Sequence, residues 1–360
     1  MFTLALNGRV YAGCVKPLAT EDLQHILCHT RPLWEEARGK RIFVSGGTGF
    51  FGAWLLESLM FCNRELNLDL SATVLTRDPE AFARKMPHLA SEPSIQILQG
   101  DVRSFPFPEQ HFEYIIHAAA PTSSSAADHP IDLLSTLLDG TERMLSFAKA
   151  HGTKKFLLAS SGAVYGRQPE NLSHIPESYL GGPDWLDSKA AYAEGKRICE
   201  QMCSLHAHEL DIEFRIARCF TFVGPHLPLD QHFAIGNFIG DALAGRTIRI
   251  QGDGTTMRSY LYAADLAIWL WTLLFRPSRL GSRIPVFNVG SGEAISIRDL
   301  AQEVIQTLDP SLKVEIAAQP STGAPLSQYV PDVKRAEAEL ELRQTISLHQ
   351  AIRRTAAWYR

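Results

Sequence analysis

An apolar strand that runs straight into a cluster of glycines constrains this chain more than any other stretch. It reads Arg41-Ile-Phe-Val-Ser-Gly-Gly-Thr-Gly-Phe-Phe-Gly52, and a helix-forming run, Ala53-Trp-Leu-Leu-Glu-Ser-Leu-Met60, follows at once. Gly47, Gly49 and Gly52 satisfy the pattern G-x-G-x-x-G, and Gly46 extends it to G-x-x-G-x-x-G. The glycines divide the physical work. One permits the tight turn, one lets backbone approach a pyrophosphate, and one lets the helix pack close to the strand. The helix start then offers free N–H groups and the positive end of its dipole to phosphate. Strand, glycine turn and helix in this order point to a dinucleotide site, with Gly46, Gly49, Phe50, Phe51 and Gly52 around it.

The rest of the chain supplies a sheet to carry such a site. Strands are expected near Arg41–Ser45, Ala72–Thr76, Ile95–Leu98, Tyr114–Ala118, Phe156–Ser160 and Ile212–Ala217, with helices near Ala53–Cys62, Ile131–Ala150 and Ala190–His208. This alternation predicts an α/β chain with a Rossmann-type, doubly wound parallel sheet. The pattern divides into an N-terminal extension (1–40), a dinucleotide-binding part (41–220) and a smaller, mostly C-terminal substrate-binding subdomain (221–360) partly interleaved with it. Beyond Thr221 the pattern loosens, apart from a helical run at Ala264–Leu274, a strand-like Val286–Gly290 and a closing helix at Leu348–Tyr359. In the extension a helix is expected around Glu21–Cys28, with Thr20 as its capping signal.

Charge and cysteine usage narrow the partners. A formal net charge of −4 leaves no electrostatic footprint for nucleic acid, and no basic run suggests an anionic membrane. The six cysteines show neither metal-ligand nor disulfide spacing, so no metal is expected. With neither a signal sequence nor an apolar run long enough to span a bilayer, the expectation is a cytoplasmic protein.

Chemistry is expected at Tyr192-Ala-Glu-Gly-Lys196, a Y-x-x-x-K at the start of a long helix. Four residues apart, both side chains share one helical face. A lysine ammonium beside a phenol favours the phenolate, so Tyr192 is expected to titrate below the usual value of about 10 and to act as acid and base. Upstream, Phe156-Leu-Leu-Ala-Ser-Ser-Gly-Ala-Val-Tyr-Gly166 is an apolar strand ending in hydroxyls, where open α/β sheets carry their ligand crevice. Ser161 is expected to hydrogen-bond the reacting oxygen, with Ser160 as the alternative.

These residues resemble the extended short-chain dehydrogenase/reductases that act on nucleotide-activated sugars, from residue 41 onward. The landmarks are the glycine fingerprint, Gly100-Asp-Val102, His117-Ala-Ala-Ala-Pro121, Ser160–Gly166, Tyr192–Lys196, Arg218-Cys-Phe-Thr-Phe-Val-Gly-Pro225, Gly252–Asp265 and Val330-Pro-Asp-Val-Lys-Arg335. The resemblance implies an enzyme with a catalytic set of Ser161, Tyr192 and Lys196. It places Asp101 and Val102 at the adenine, and Ala118, Ala119, Ala120, Ser160, Tyr192 and Lys196 along the cofactor. Pro121, Thr122, Ser161, Thr221, Asn237, Phe238 and Arg258 would face a nucleotide-diphosphate sugar, Arg258 holding its pyrophosphate. Relatives commonly pair two subunits through the helices near Ile131–Ala150 and Ala190–His208, which implies a homodimer.

Departures from the family pattern sharpen the reaction. Thr221 and Leu137 stand where asparagines are usual, and no arginine occupies the Thr322–Leu326 stretch. The 4,6-dehydratases carry an Asp-Glu pair directly after the catalytic hydroxyl, and glucuronate decarboxylases usually carry a glutamate at the second of these positions. Here they are Gly162 and Ala163, which move no protons. Hydride transfer at carbon 4 remains, as epimerisation or as reduction of a keto-sugar, the two ranked nearly equal. Dehydration or decarboxylation is the alternative, and a non-catalytic dinucleotide sensor or a reductase of non-sugar carbonyls stands further off. At the end of the second strand, Val74-Leu-Thr-Arg-Asp78, Arg77 favours NADP through its 2′-phosphate, while Asp78 keeps NAD as the alternative.

Overall fold

Seven short strands, each apolar on both faces, assemble into one parallel sheet. A computed structural model describes residues 2–6, 9–13, 16–121, 128–231, 233–277, 284–319 and 326–360, the first two stretches as backbone only. The strands are β1 (Arg41–Ser45), β2 (Ser71–Thr76), β3 (Ile95–Gln99), β4 (Tyr114–His117), β5 (Lys155–Ser161), β6 (Glu213–Cys219) and β7 (Val286–Val289). Their order is β7-β6-β5-β4-β1-β2-β3, all neighbours parallel. Alternate side chains feed two cores: Ile42 and Val44 point into one, Phe43 into the other. Parallel sheets are stable only when both faces are covered, and the helices do this. The sheet is the expected Rossmann-type arrangement, and β7 adds an edge strand from the late part of the chain.

Helix α1 (Thr20–Thr30), α2 (Phe50–Leu66) and α7 (Ala263–Phe275) share one core; α4 (Pro130–Ala150) and α5 (Ala191–Glu209) pack together over the other face. Helices α3 (Pro79–Lys85), α6 (Ala234–Leu243), α8 (Ile297–Leu308) and α9 (Leu348–Tyr359) complete the set used below. A small mixed sheet joins Met257–Arg258 to Ile295–Ser296 and Gln328–Tyr329. Among the described residues no helix is long and apolar enough to cross a membrane, and no cluster of His, Cys, Asp and Glu could hold a metal ion.

The N-terminal extension is built into the body rather than laid on the sheet. Its first two strands, Phe2–Leu6 and Arg9–Gly13, pair as an antiparallel hairpin. Helix α1 packs on α7 and α2, and its N-cap is Ala19, not Thr20, which lies inside the first turn. The buried carboxylate of Asp22 accepts from the Tyr262 hydroxyl at 2.7 Å and from Arg354 of α9 at 2.5 Å. Trp34, fully buried, lies 4.8 Å from the Trp271 ring and 5.3 Å from Phe275, centroid to centroid. Trp34→Ala is therefore expected to cost about 3–5 kcal/mol of folding stability through the cavity it leaves. Denaturant unfolding measures it, and a loss below about 1 kcal/mol contradicts this role for the extension.

Candidate active site

The glycine turn is shaped by what surrounds it. Gly46 adopts φ +81°, and a Cβ there would lie 2.5 Å from the Ala118 carbonyl carbon at the end of β4. A Cβ on Gly47 would strike Val74 of β2 at 2.6 Å, and one on Gly52 would strike Gly47 at 2.3 Å. These three glycines close the turn onto β4, β2 and α2. Gly49 differs: its Cβ would meet only the Gly46 carbonyl oxygen, at 3.5 Å, so it faces open space. It is also the N-cap of α2, with no capping side chain. An exposed helix start with room above it fits a pyrophosphate. Phe50 and Phe51 begin the helix, and the Phe51 ring meets Phe222 edge-on at 5.2 Å.

The ends of β2 and β3 carry more positive charge than the glycine motif alone suggests. Arg77 is exposed at the end of β2, and its charge acts on Asp101. Asp78 spends a carboxylate oxygen capping α3, accepting from the Ala81 N–H at 2.8 Å. Asp101 is also committed: Arg103 binds both of its oxygens at 2.9 Å and holds its carboxyl below the usual range. Arg103 is not expected from the sequence; its only signal is a position two residues after Asp101, within reach of the same carboxylate. Lys85 is equally unexpected, and its ammonium donates to the Thr48 carbonyl at 2.8 Å on the glycine turn. Val102 packs against Gly140, whose added Cβ would lie 2.9 Å from it. Ala118, Ala119 and Ala120 are half-buried where β4 ends.

At the reacting end the sheet brings three expected groups together. Ser161 ends β5, where its hydroxyl accepts from the Ala163 N–H at 3.1 Å and acts on the phenol of Tyr192 of α5. Lys196, one turn further along α5, is buried, and its ammonium donates to the Ala159 carbonyl at 2.7 Å. The electrostatic expectation is overturned here. Burial pushes the Tyr192 phenol up to about 12, against the lowering effect of Ser161. Lys196 is aimed at a backbone carbonyl, and burial moves it below its ordinary value as well. In this structure Tyr192 therefore stands as a protonated acid at neutral pH.

Ser160 is committed elsewhere. It donates to Glu200 at 2.5 Å, and Glu200 is clasped by Arg218 through contacts of 2.6 to 3.1 Å. The two serines face opposite sides of β5, so one holds helix α5 and the other meets the site. Leu137, in the place of an asparagine, is buried against Gly195, whose Cβ would lie 2.7 Å from it. The small residue inside Y-x-x-x-K thus lets α4 and α5 approach.

The substrate side is less uniform. Arg258 is half-buried, takes no carboxylate partner among the described residues and donates through Nη1 to the Met257 carbonyl at 2.8 Å. Thr221 donates its hydroxyl to the Ser259 carbonyl, so it locks the chain locally and does not donate toward a ligand. Asn237 is half-buried on α6, whereas the Phe238 ring lies in the main core and can offer a ligand only its backbone. Pro121 is half-buried; Thr122 lies outside the described residues, as does the Thr322–Leu326 stretch apart from Leu326. Tyr329 is a residue the sequence does not announce. A Cβ on Gly162, next to Ser161, would lie 2.7 Å from its hydroxyl oxygen, and its ring lies 4.6 Å from Phe220.

A buried chain of polar groups ties this site to the glycine turn. His117 pairs with the Ser45 hydroxyl at 2.7 Å and the Thr141 hydroxyl at 3.1 Å, and Thr141 reaches Cys199 on α5 at 3.1 Å. Burial, helped by the Lys196 charge, pushes His117 down to about 3. The unfolded histidine takes a proton near pH 6.5 while the folded one refuses it until about 3, so stability falls as pH drops through that window. Its contribution to the slope approaches about 1.4 kcal/mol per pH unit. Urea midpoints measured across this range are expected to fall less steeply for His117→Gln than for the wild type; equal slopes would contradict a neutral His117.

Residues 42–290 match the model of the NAD dependent epimerase/dehydratase family. UDP-glucuronic acid decarboxylase 2 of Arabidopsis thaliana is 30% identical over 325 residues, 89% of this chain and 68% of that protein. In fold, the chain is similar to a UDP-N-acetylglucosamine 4-epimerase from Methanobrevibacter ruminantium, with a TM-score of 0.75, 21% identity and coverage of 89% and 98%. It is also similar to a dTDP-glucose 4,6-dehydratase from Streptomyces venezuelae solved with NAD bound, with a TM-score of 0.72, 23% identity and coverage of 89% and 96%. With its glycine turn, its Ser161–Tyr192–Lys196 set and a match over more than half its length, this chain is an enzyme of the NAD dependent epimerase/dehydratase family.

Proposed function

We propose that this enzyme transfers hydride at carbon 4 of a nucleotide-diphosphate sugar, ending in the epimer or in the reduced form of a 4-keto sugar. One observation carries the reading: the hydroxyl of Ser161 is followed by Gly162 and Ala163, so the proton-shuttling groups of an elimination are missing from the strand end. A nicotinamide dinucleotide on the glycine turn would supply the hydride acceptor and donor. The chain's own part is acid–base work and positioning. Tyr192, protonated at neutral pH, delivers its proton to a carbon-4 keto oxygen as hydride arrives, and takes it back from the hydroxyl in the oxidative direction. Ser161 hydrogen-bonds the same oxygen, and Arg258 grips the diphosphate.

A second reading is favoured by the Arabidopsis relative. Oxidation of a UDP-glucuronate at carbon 4 gives a β-keto acid, which loses carbon dioxide with no acid needed on a leaving hydroxyl. Only carbon 5 must then be reprotonated. UDP-glucose and UDP-glucuronic acid, each offered with NAD+ and with NADP+, separate the readings. The expected products are carbon-4 epimers, without carbon dioxide and without the alkali-absorbing 4-keto-6-deoxy sugar. Release of carbon dioxide establishes the second reading, and efficient formation of the keto-deoxy sugar overturns both. Tyr192→Phe is expected to keep dinucleotide binding and lose roughly a hundred- to ten-thousand-fold in turnover. Near-wild-type turnover in that variant contradicts the mechanism.

For the cofactor we favour NADP. Asp78 is turned to capping α3, while Arg77 is exposed at the end of β2 and carries the charge a 2′-phosphate needs. A guanidinium–phosphate hydrogen bond contributes about 1.5–3 kcal/mol. Arg77→Ala should therefore weaken NADPH by roughly ten- to a hundredfold and leave NADH nearly unchanged; equal losses in a fluorescence titration, or tighter NADH in the wild type, reverse the preference. A homodimer through α4 and α5 belongs to the same reading. Ile131, at 84% exposure, and Leu205, at 58%, are large apolar side chains that these helices leave in solvent in the single subunit.

A further inference from the structure

One cation at the glycine turn has a carbonyl for a partner and no carboxylate. Lys85 closes helix α3, and its ammonium donates to the Thr48 carbonyl at 2.8 Å. Thr48 directly precedes Gly49, the N-cap of α2, whose added Cβ would meet only the Gly46 carbonyl oxygen at 3.5 Å. The neighbouring arginines are engaged with acids. Arg84 pairs with Glu80 at 3.3 Å, Arg103 with Asp101 at 2.9 Å and Asp132 at 3.1 Å, and the charge of Arg77 acts on Asp101. Lys85 forms no ion pair among the described residues. Loss of solvation moves its ammonium below the ordinary lysine value, with no carboxylate to offset it.

We propose that Lys85 is a cofactor-binding residue whose ammonium takes a phosphate of the dinucleotide. An ammonium carries three donor hydrogens, and the Thr48 carbonyl occupies one of them. Lys85 is exposed, so a ligand can reach the others. At the end of α3 a lysine is favoured by that helix's own dipole, but this role needs no contact with Thr48. Reaching the turn brings the charge beside the start of α2, whose positive end repels it. A phosphate there reverses the repulsion, because ammonium and helix start then share one anion. The pyrophosphate and the 2′-phosphate of NADP both offer this chemistry.

The lysine stem starts from a fixed point. Asp78 caps the start of α3, and Phe82 and Met86 are buried on either side of its last turn. In the short helical turn Pro87–Ala90, His88 comes within 3.1 Å of the buried carboxylate of Glu57 on α2. Helix α2 thus anchors the segment that carries Lys85 back to the helix's own N-terminal turn. Binding has only a side chain to order, and Thr48 already holds it, so little affinity is lost to ordering.

The test needs no sugar, so it stands apart from the carbon-4 reading. The full chain is titrated with NADH and with NADPH by fluorescence, and adenosine is measured by displacement of NADH. Lys85→Met keeps the stem and removes the charge, and is expected to weaken dinucleotide binding by roughly ten- to a hundredfold. Loss for NADH and NADPH alike assigns the pyrophosphate as partner; loss for NADPH alone assigns the 2′-phosphate. Adenosine, which has no phosphate, is expected to bind both proteins equally, and Lys85→Arg to keep most of the affinity. The wild-type advantage over Lys85→Met should narrow as salt is raised. A change below about twofold for both dinucleotides, an equal loss for adenosine, or a loss in Lys85→Arg as large as in Lys85→Met overturns the proposal.

Discussion

The register of the parallel sheet is the constraint on which the site depends. Ser45 lies opposite His117, Ser160 opposite Arg218, and Ser161 opposite Cys219. A slip of one residue in β5 would exchange the faces of Ser160 and Ser161. The serine bonded to Glu200 would then lose that carboxylate, and Ser161 would turn toward it. Register is held by apolar side chains on both faces of every strand, with Phe43, Phe156 and Leu157 fully buried. It is reinforced at the strand ends by polar cross-links, of which His117 between Ser45 and Thr141 reaches furthest. Packing energy in the sheet is thus converted into the placement of a few hydroxyls along one edge.

The same edge explains why the two ends of the ligand crevice differ in character. At the ends of β2 and β3 the carboxylates are spoken for, Asp78 by a helix start and Asp101 by Arg103, while Arg77 remains exposed. On the reacting side the Glu200–Arg218 ion pair lies beside phenols and an imidazole whose charged forms are disfavoured. The phenols of Tyr192 and Tyr329 are raised and His117 is lowered, and loss of solvation is the largest cause of each shift.

Much of the fold is legible in the sequence because local rules and tertiary structure agree there. Arg41–Ser45 and the closing helix Leu348–Tyr359 fall where periodicity puts them, and the glycines stand where a turn, a strand and a helix converge. What the sequence does not reveal depends on groups far apart in the chain. Tyr329 comes to Gly162, at the end of β5, from the late part of the chain, through a two-residue strand that has no periodicity of its own. The pairing of Asp22 with Tyr262 and Arg354, which seats the extension, is of the same kind. The lowered phenol expected from Y-x-x-x-K fails because helical spacing fixes which residues are neighbours, but burial and the Ala159 carbonyl decide where the lysine's charge is directed.

The proposed reaction moves hydride at carbon 4 and needs no proton chemistry at carbon 5. Turnover of UDP-glucose and of UDP-glucuronic acid in deuterium oxide, with products analysed by NMR, reads this directly. Epimerisation or keto reduction leaves carbon 5 with its original hydrogen, so no solvent deuterium is predicted at that position. Deuterium at carbon 5 would mean that a residue of this chain makes or protonates a carbanion there, and would contradict the role given to Gly162 and Ala163.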